Sequence, residues 1–126
     1  MKKLFAVILV AATLAGCTAA NVLNIDNAPI GVNGQSQDVG AVIETALRER
    51  GWQVAARRPG AVDAFIAVRQ HRADVTISYT RTSYSIAYRS SEGLDYRNGK
   101  IHRNYNRWVA NLNSDIQRAL GSLPPA

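Results

Sequence analysis

Val62-Asp63-Ala64-Phe65-Ile66-Ala67-Val68, Val75-Thr76-Ile77-Ser78-Tyr79 and Tyr84-Ser85-Ile86-Ala87-Tyr88 are three runs in which every second residue is apolar or aromatic. Side chains along a strand alternate between faces, so each run reads as a strand buried on one side. Val62, Ala64, Ile66 and Val68 share one face, as do Val75, Ile77 and Tyr79, and Tyr84, Ile86 and Tyr88. Trp52, Val54 and Ala56 supply a fourth alternating run ahead of them, ended by a turn at Arg57-Arg58-Pro59-Gly60. His71 to Asp74 and Thr80 to Ser83 are short enough to be hairpin connections. Sequential short strands joined by tight turns predict a four-stranded antiparallel meander. Its second face is polar, with Asp63, Arg69, Thr76, Ser78, Thr80, Ser83, Ser85 and Arg89, and Phe65 is an aromatic placed where water is expected.

A helix is predicted on each side of this meander. Between Asp38 and Arg50, the residues Val39, Val42, Ile43, Ala46 and Leu47 recur at helical spacing. Ser36 or Asp38 would cap its start, and Gly51 stands where a helix-ending glycine is expected. Between Asn104 and Leu120, the stripe is Tyr105, Trp108, Val109, Leu112, Ile116, Ala119 and Leu120, continued by Leu123. Gly121 stops this helix and Pro124-Pro125 prevent its continuation. Two helices with one apolar stripe each, and a sheet with one apolar face, are satisfied together by an α+β two-layer sandwich. Both helices then cover one sheet face, and the other stays open to solvent.

The N-terminus has a different character. Lys2 and Lys3 precede an apolar run from Leu4 to Leu14 that only Thr13 interrupts. This is shorter than the roughly 20 residues that span a bilayer, and it matches the core of an export signal. The run closes on Leu14-Ala15-Gly16-Cys17, and Cys17 is the only cysteine in the chain. This motif resembles the lipobox of bacterial lipoproteins. The resemblance covers residues 1–17 and implies cleavage before Cys17, diacylation of its sulfur and acylation of the new amine. Thr18, rather than aspartate, follows the cysteine, which by the rule of enteric lipoproteins implies an outer-membrane address facing the periplasm. The expected organisation is therefore a signal peptide over residues 1–16, a lipidated cysteine and tether over 17–37, and one domain over 38–123. The tether is expected from its turn formers, Asn21, Asn24, Asn27, Pro29, Gly31, Asn33, Gly34 and Ser36, and would hold the domain off the bilayer. Val22, Leu23, Ile25 and Ile30 complicate that reading, because a short edge strand ended by Pro29 would use them.

Export also changes what the charge means. The whole chain carries a formal +6, but removing Lys2 and Lys3 leaves thirteen basic residues against nine acidic ones, or +4. Lys100 is then the only lysine, so the charge is carried by arginine, whose fork suits phosphates and carboxylates. Nucleic acid, the usual partner of a basic chain, is not expected for an exported one. The two histidines, His71 and His102, are too few for a metal centre, which needs three or four ligands. No glycine-rich phosphate loop, nucleophile–base set or pair of carboxylates is suggested by spacing, so neither a cofactor nor catalysis is expected.

Two constellations are candidates for binding. Phe65, Arg69, Thr76, Ser78, Ser85 and Arg89 would share the open sheet face, and arginines at interfaces are often hot spots. His102, Asn104 and Asn106 would gather at the start of the second helix, where backbone N–H groups favour anions. The same residues equally serve to satisfy those N–H groups, and that structural reading is preferred. Tyr79, Tyr84, Tyr88 and Tyr105 fall on core-facing positions rather than on a sugar-stacking surface.

The pattern Tyr84-Ser85-Ile86-Ala87-Tyr88 followed by Ile101-His102-Arg103-Asn104-Tyr105-Asn106-Arg107-Trp108, with Arg50-Gly51-Trp52, resembles a set of small bacterial envelope lipoproteins over roughly residues 39–120. That resemblance implies a shared fold and carries no activity. The sequence thus points to a non-catalytic lipid-anchored envelope protein that binds a protein partner or an anionic envelope component through its open sheet face. One alternative is an inhibitor of a cell-wall hydrolase such as lysozyme, inserting Arg81 or the Arg97-Asn98-Gly99 turn into an acidic cleft. Another is an enzyme, which would bring His71 and His102 together on a carboxylate.

Overall fold

The computed structural model describes residues 18–31 and 36–123. Cys17, the export segment before it and Pro124-Pro125 lie outside the described residues. The elements run β1 (Ala19–Asn21), β2 (Ile25–Pro29), α1 (Ser36–Glu49), β3 (Gln53–Arg58), β4 (Ala61–Val68), β5 (His71–Tyr79), β6 (Ser83–Glu92), β7 (Lys100–His102) and α2 (Arg103–Leu120). The class is α+β, with two helices and an open antiparallel sheet. That sheet has five strands in the order β2-β6-β5-β4-β3, and β1 pairs with β7 in a separate two-stranded ribbon. The expected four-strand meander is present as β3 to β6. It is extended because Ile25–Pro29 adds to β6 as an edge strand, with Pro29 at the end of that strand.

The phase read from the sequence holds through the middle of the sheet. Val62, Ala64, Val75, Ile77, Tyr84 and Ile86 are buried with Val39, Ile43 and Leu47 of α1 and Val109, Leu112 and Ile116 of α2. The Tyr84 hydroxyl donates to Asn113 of α2, and the Tyr88 ring meets Tyr105 of α2 edge-on at 5.6 Å. Arg50 after α1 grips Asp115 of α2 through two hydrogen bonds of 2.6 and 3.0 Å. The first helix ends as its composition required: Gly51 has φ +95°, and Trp52 N–H reaches back to the Leu47 carbonyl at 2.9 Å.

Four details depart from the sequence reading. Arg57 and Arg58 belong to β3, and the turn is Pro59-Gly60 alone. A register shift between Val54 and Ala56 turns Ala56 away from the core, where it is exposed. The same shift brings Arg57 to the helix side, where it pairs with Glu44 of α1 at 2.8 Å. His71 to Asp74 is strand rather than connection, the β4–β5 turn being Arg69-Gln70. Polar residues there fit a strand because Arg72 and Asp74 bond to each other on the open face, and His71 Nδ1 donates to the Gly93 carbonyl at 2.8 Å. Gly93 has φ +73° and lies so close to the Gln70 carbonyl that a side chain would collide with it. Finally, α1 begins at Ser36, which places Asp38 within its first turn rather than before it.

The segment expected as a tether is largely built into the domain. Ala19–Asn21 pairs with Lys100–His102, and the Val22 N–H donates to the Gly99 carbonyl at 2.9 Å. Asn106 of α2 then acts as a substitute strand. Its Oδ1 accepts from Leu23 N–H at 2.9 Å and its Nδ2 donates to the Asn21 carbonyl at 2.8 Å. Asn24 Oδ1 accepts from Tyr88 N–H at 3.0 Å, and Ser85 Oγ accepts from Asn27 N–H at 2.9 Å. Asn27 adopts φ +51° within the irregular part of β2, which explains an asparagine there. Asn21, Asn24 and Asn27 thus contribute backbone or carboxamide groups to hydrogen bonds of the fold. Asn106→Ala leaves the Leu23 N–H without its acceptor, which costs about 1–3 kcal/mol. Chemical denaturation should show that loss, and hydrogen exchange should show faster exchange at Leu23 than in the parent protein.

Candidate functional site

Alternation in the sheet decides which side chains face away from the helices. Phe65 and Asp63 of β4, Arg72, Asp74, Thr76 and Ser78 of β5, and Ser85 of β6 take the outer positions. Asp63 is the centre of this face and is only 6% exposed although no helix covers it. Arg58 of β3 clamps its carboxylate at 2.7 and 3.0 Å, and Thr76 of β5 donates to it at 2.7 Å. Arg89 of β6 approaches the same carboxylate at 3.8 Å. Three neighbouring strands therefore converge on one anion, and the arginine stems shield it from water. The Arg58 hydrogen bonds, with the Thr76 hydroxyl next, hold the Asp63 carboxyl well below the usual carboxylate range.

Farther along the face, the Arg72 guanidinium lies over the Phe65 ring, 4.0 Å from its centroid. The same guanidinium bonds to Asp74 at 3.0 and 3.1 Å, and Asp74 is 9% exposed. A cation held by a carboxylate on one side and a ring on the other is fixed in orientation. Phe65 thus has a partner on the side expected to be wet.

The structure gathers most of the expected candidates and redistributes their roles. Phe65, Thr76, Ser78, Ser85 and Arg89 share the open face. Arg69 does not: it sits in the β4–β5 turn with φ +58°, at one end of the sheet. Thr76 is engaged by Asp63 and Ser85 by Asn27, so Ser78 is the candidate hydroxyl left exposed. Arg58, Asp63, Arg72 and Asp74 are the network residues that the sequence reading did not select. Acids and arginines at outer positions were visible, but assigning Arg58 to a turn removed the partner that makes Asp63 central.

The polar groups at the start of α2 are engaged in hydrogen bonds within the fold. His102 caps the helix, its Nδ1 accepting from Asn104 N–H at 3.1 Å. Asn104 accepts from Arg107 at 3.2 Å, and Asn106 is the latch on β1 already described. His71 and His102 stack on one another, with ring centroids 6.4 Å apart, rather than meeting on a carboxylate. Among the described residues, no group of three or more His, Cys, Asp or Glu side chains is placed to hold a metal ion. Tyr84 and Tyr105 are fully buried, and Tyr88 stacks on Tyr96 at 4.4 Å. Among the described residues, no helix is long and apolar enough to cross a membrane.

No protein family, curated protein or solved structure matches this chain.

The lowered Asp63 group makes a signed prediction. Its ionised form is favoured by folding, so its contribution is present above the unperturbed aspartate value of about 4 and is lost as the pH falls below it. At neutral pH, Asp63→Asn should cost about 1–3 kcal/mol, because Arg58 and Arg89 are half-exposed and partly rehydrate. Denaturation of both proteins across the acid range should show that gap narrowing below about pH 4. A gap of constant size would mean that the charge on Asp63 does not stabilise the fold.

Proposed function

We propose that this chain is a non-catalytic, lipid-anchored protein of the bacterial envelope, placed on the outer membrane and facing the periplasm, whose open sheet face binds a protein partner. The observation that supports the reading is the ordered state of that face. Arg58 and Arg89 are directed at Asp63, and Arg72 is directed at Asp74 and Phe65. Long side chains immobilised before binding lose less entropy when a partner docks. The same pairing favours a protein over a free anionic envelope component, because the guanidiniums already have carboxylates and offer little uncompensated charge. Lipid anchoring is supported by the Leu14-to-Cys17 motif behind the apolar run. A photo-crosslinker in place of Ser78 or Ala87, both exposed on this face, should trap one and the same protein in cells. Placed at Ala110, exposed on α2, it should not. Equal adducts from all three positions, or none from the sheet face, would count against the proposal.

One observation favours a second reading, inhibition of a cell-wall hydrolase such as lysozyme. Arg81 stands at the tip of the β5–β6 turn, exposed and without an acidic partner among the described residues. The turn beneath it is rigid: Thr80 Oγ1 accepts from both the Thr82 and Ser83 N–H groups at 3.1 Å. A stiff loop carrying one unpaired arginine fits an acidic cleft. Purified protein should then inhibit lysozyme, and Arg81→Ala should lose the inhibition while keeping its melting temperature. Absence of inhibition by the parent protein removes this reading.

A further inference from the structure

We infer that the end of the domain bearing β1, β7 and the β4–β5 turn lies directly against the anionic headgroups of the leaflet that holds the anchor. The inference rests on the proposed acylation of Cys17. Its first support is covalent reach. β1 begins at Ala19, so Thr18 is the only residue between the acylated cysteine and a paired strand. Successive Cα atoms are about 3.8 Å apart, so this link has almost no slack. The strand is pinned by β7, by the Gly99 carbonyl and by the Asn106 carboxamide, so the domain cannot lengthen its leash without breaking those bonds.

The second support is the distribution of unpaired charge. Arg48, Arg50, Arg57, Arg58, Arg72, Arg89 and Arg118 all have a carboxylate partner. Arg69, Arg97, Lys100, Arg103 and Arg107 are exposed, and no ion pair with a carboxylate is found for them among the described residues. Arg107 follows Arg103 by one turn of α2 and bonds to Asn104, and the other four belong to one end of the molecule. Thr18 and Ala19 border the same shallow depression as Arg97 and Lys100, and Ala19 pairs with His102, next to Arg103. Arg69 joins them because the loop after β6 closes on the β4–β5 turn, through Gly93 against Gln70 and His71. Glu92, the last residue of β6, and Asp95 in that loop are the acids there, fewer than the cations around them. Arg81, also unpaired, marks the opposite end, with the length of β6 between.

The third support is Tyr96, 48% exposed and stacked on Tyr88 at the same end, an amphipathic ring of the kind that sits at headgroup level. Arginine forks match lipid phosphates, and cations near an anionic leaflet are attracted within a Debye length. The open sheet face and the Arg81 tip are thereby left to the aqueous side.

Acylation blocks the Cys17 sulfur, so a single introduced cysteine takes a spin label selectively. Full-length acylated protein with Gln70→Cys, or with Arg81→Cys at the far tip, would be placed in vesicles of phosphatidylcholine alone or with phosphatidylglycerol as a minority component. Collision of the label with a water-soluble paramagnetic chelate is the readout. At position 70, collision should fall in anionic relative to neutral vesicles, because cations near an anionic leaflet are held against it. At position 81 it should not change. Combined Arg97→Glu, Lys100→Glu and Arg103→Glu should abolish the fall, with circular dichroism reporting an intact fold. An acylated protein whose label at 70 stays as accessible as that at 81 overturns this inference alone. A protein recovered without lipid overturns the anchoring proposal and this inference with it.

Discussion

An antiparallel sheet with one apolar face is not stable until that face is removed from water, and the rest of this fold follows from how the chain does so. Burying a Val, Leu or Ile side chain contributes roughly 1.5–3 kcal/mol, and α1 and α2 together bring Val39, Ile43, Leu47, Val109, Leu112 and Ile116 onto the sheet. Both helices are consumed by one face. The opposite face has no cover and must be stable in water on its own terms. It is so through charge: Asp63 and Asp74 are shielded by arginines that are themselves half-exposed, so aliphatic stems replace part of a missing layer.

That division was largely legible in the sequence. The alternation in Val62 to Val68, Val75 to Tyr79 and Tyr84 to Tyr88 is a property of each strand alone, and it fixed which face is buried. Both helices were legible for the same reason. Pairing partners were less so, because register depends on bulges and turn lengths that no single run reveals. The shift at Ala55 moved Arg57 to the helix side and Arg58 to the open face, and an Arg-Arg-Pro-Gly string read locally as a turn hides both outcomes. Residues 18–31 were less legible for a different reason. Asn21, Asn24 and Asn27 have the composition of a linker, yet they supply backbone or carboxamide groups to partners more than fifty residues away. Composition reports local preference and is silent on such distant partners.

The candidate site illustrates the same limit. Phe65, Thr76, Ser78, Ser85 and Arg89 were assigned to one face by period alone, and the structure keeps them there. Arg69 was drawn in by the same arithmetic continued past the end of its strand, where the chain turns. His102, Asn104 and Asn106 are engaged by a helix cap, an exposed arginine and a strand latch.

Order in residues 18–31 gives the proposed anchor a geometric meaning, because a domain that starts one residue after a lipid has a defined side toward the membrane. The measurement that bears most directly on the account is the intact mass of the protein extracted from bacterial membranes. A chain that begins at Cys17 should carry a diacylglyceryl group on its sulfur and an acyl group on its amine, and Cys17→Ser should give no processed species. A mature chain with a free Cys17 thiol, or one cut at another position, would contradict it.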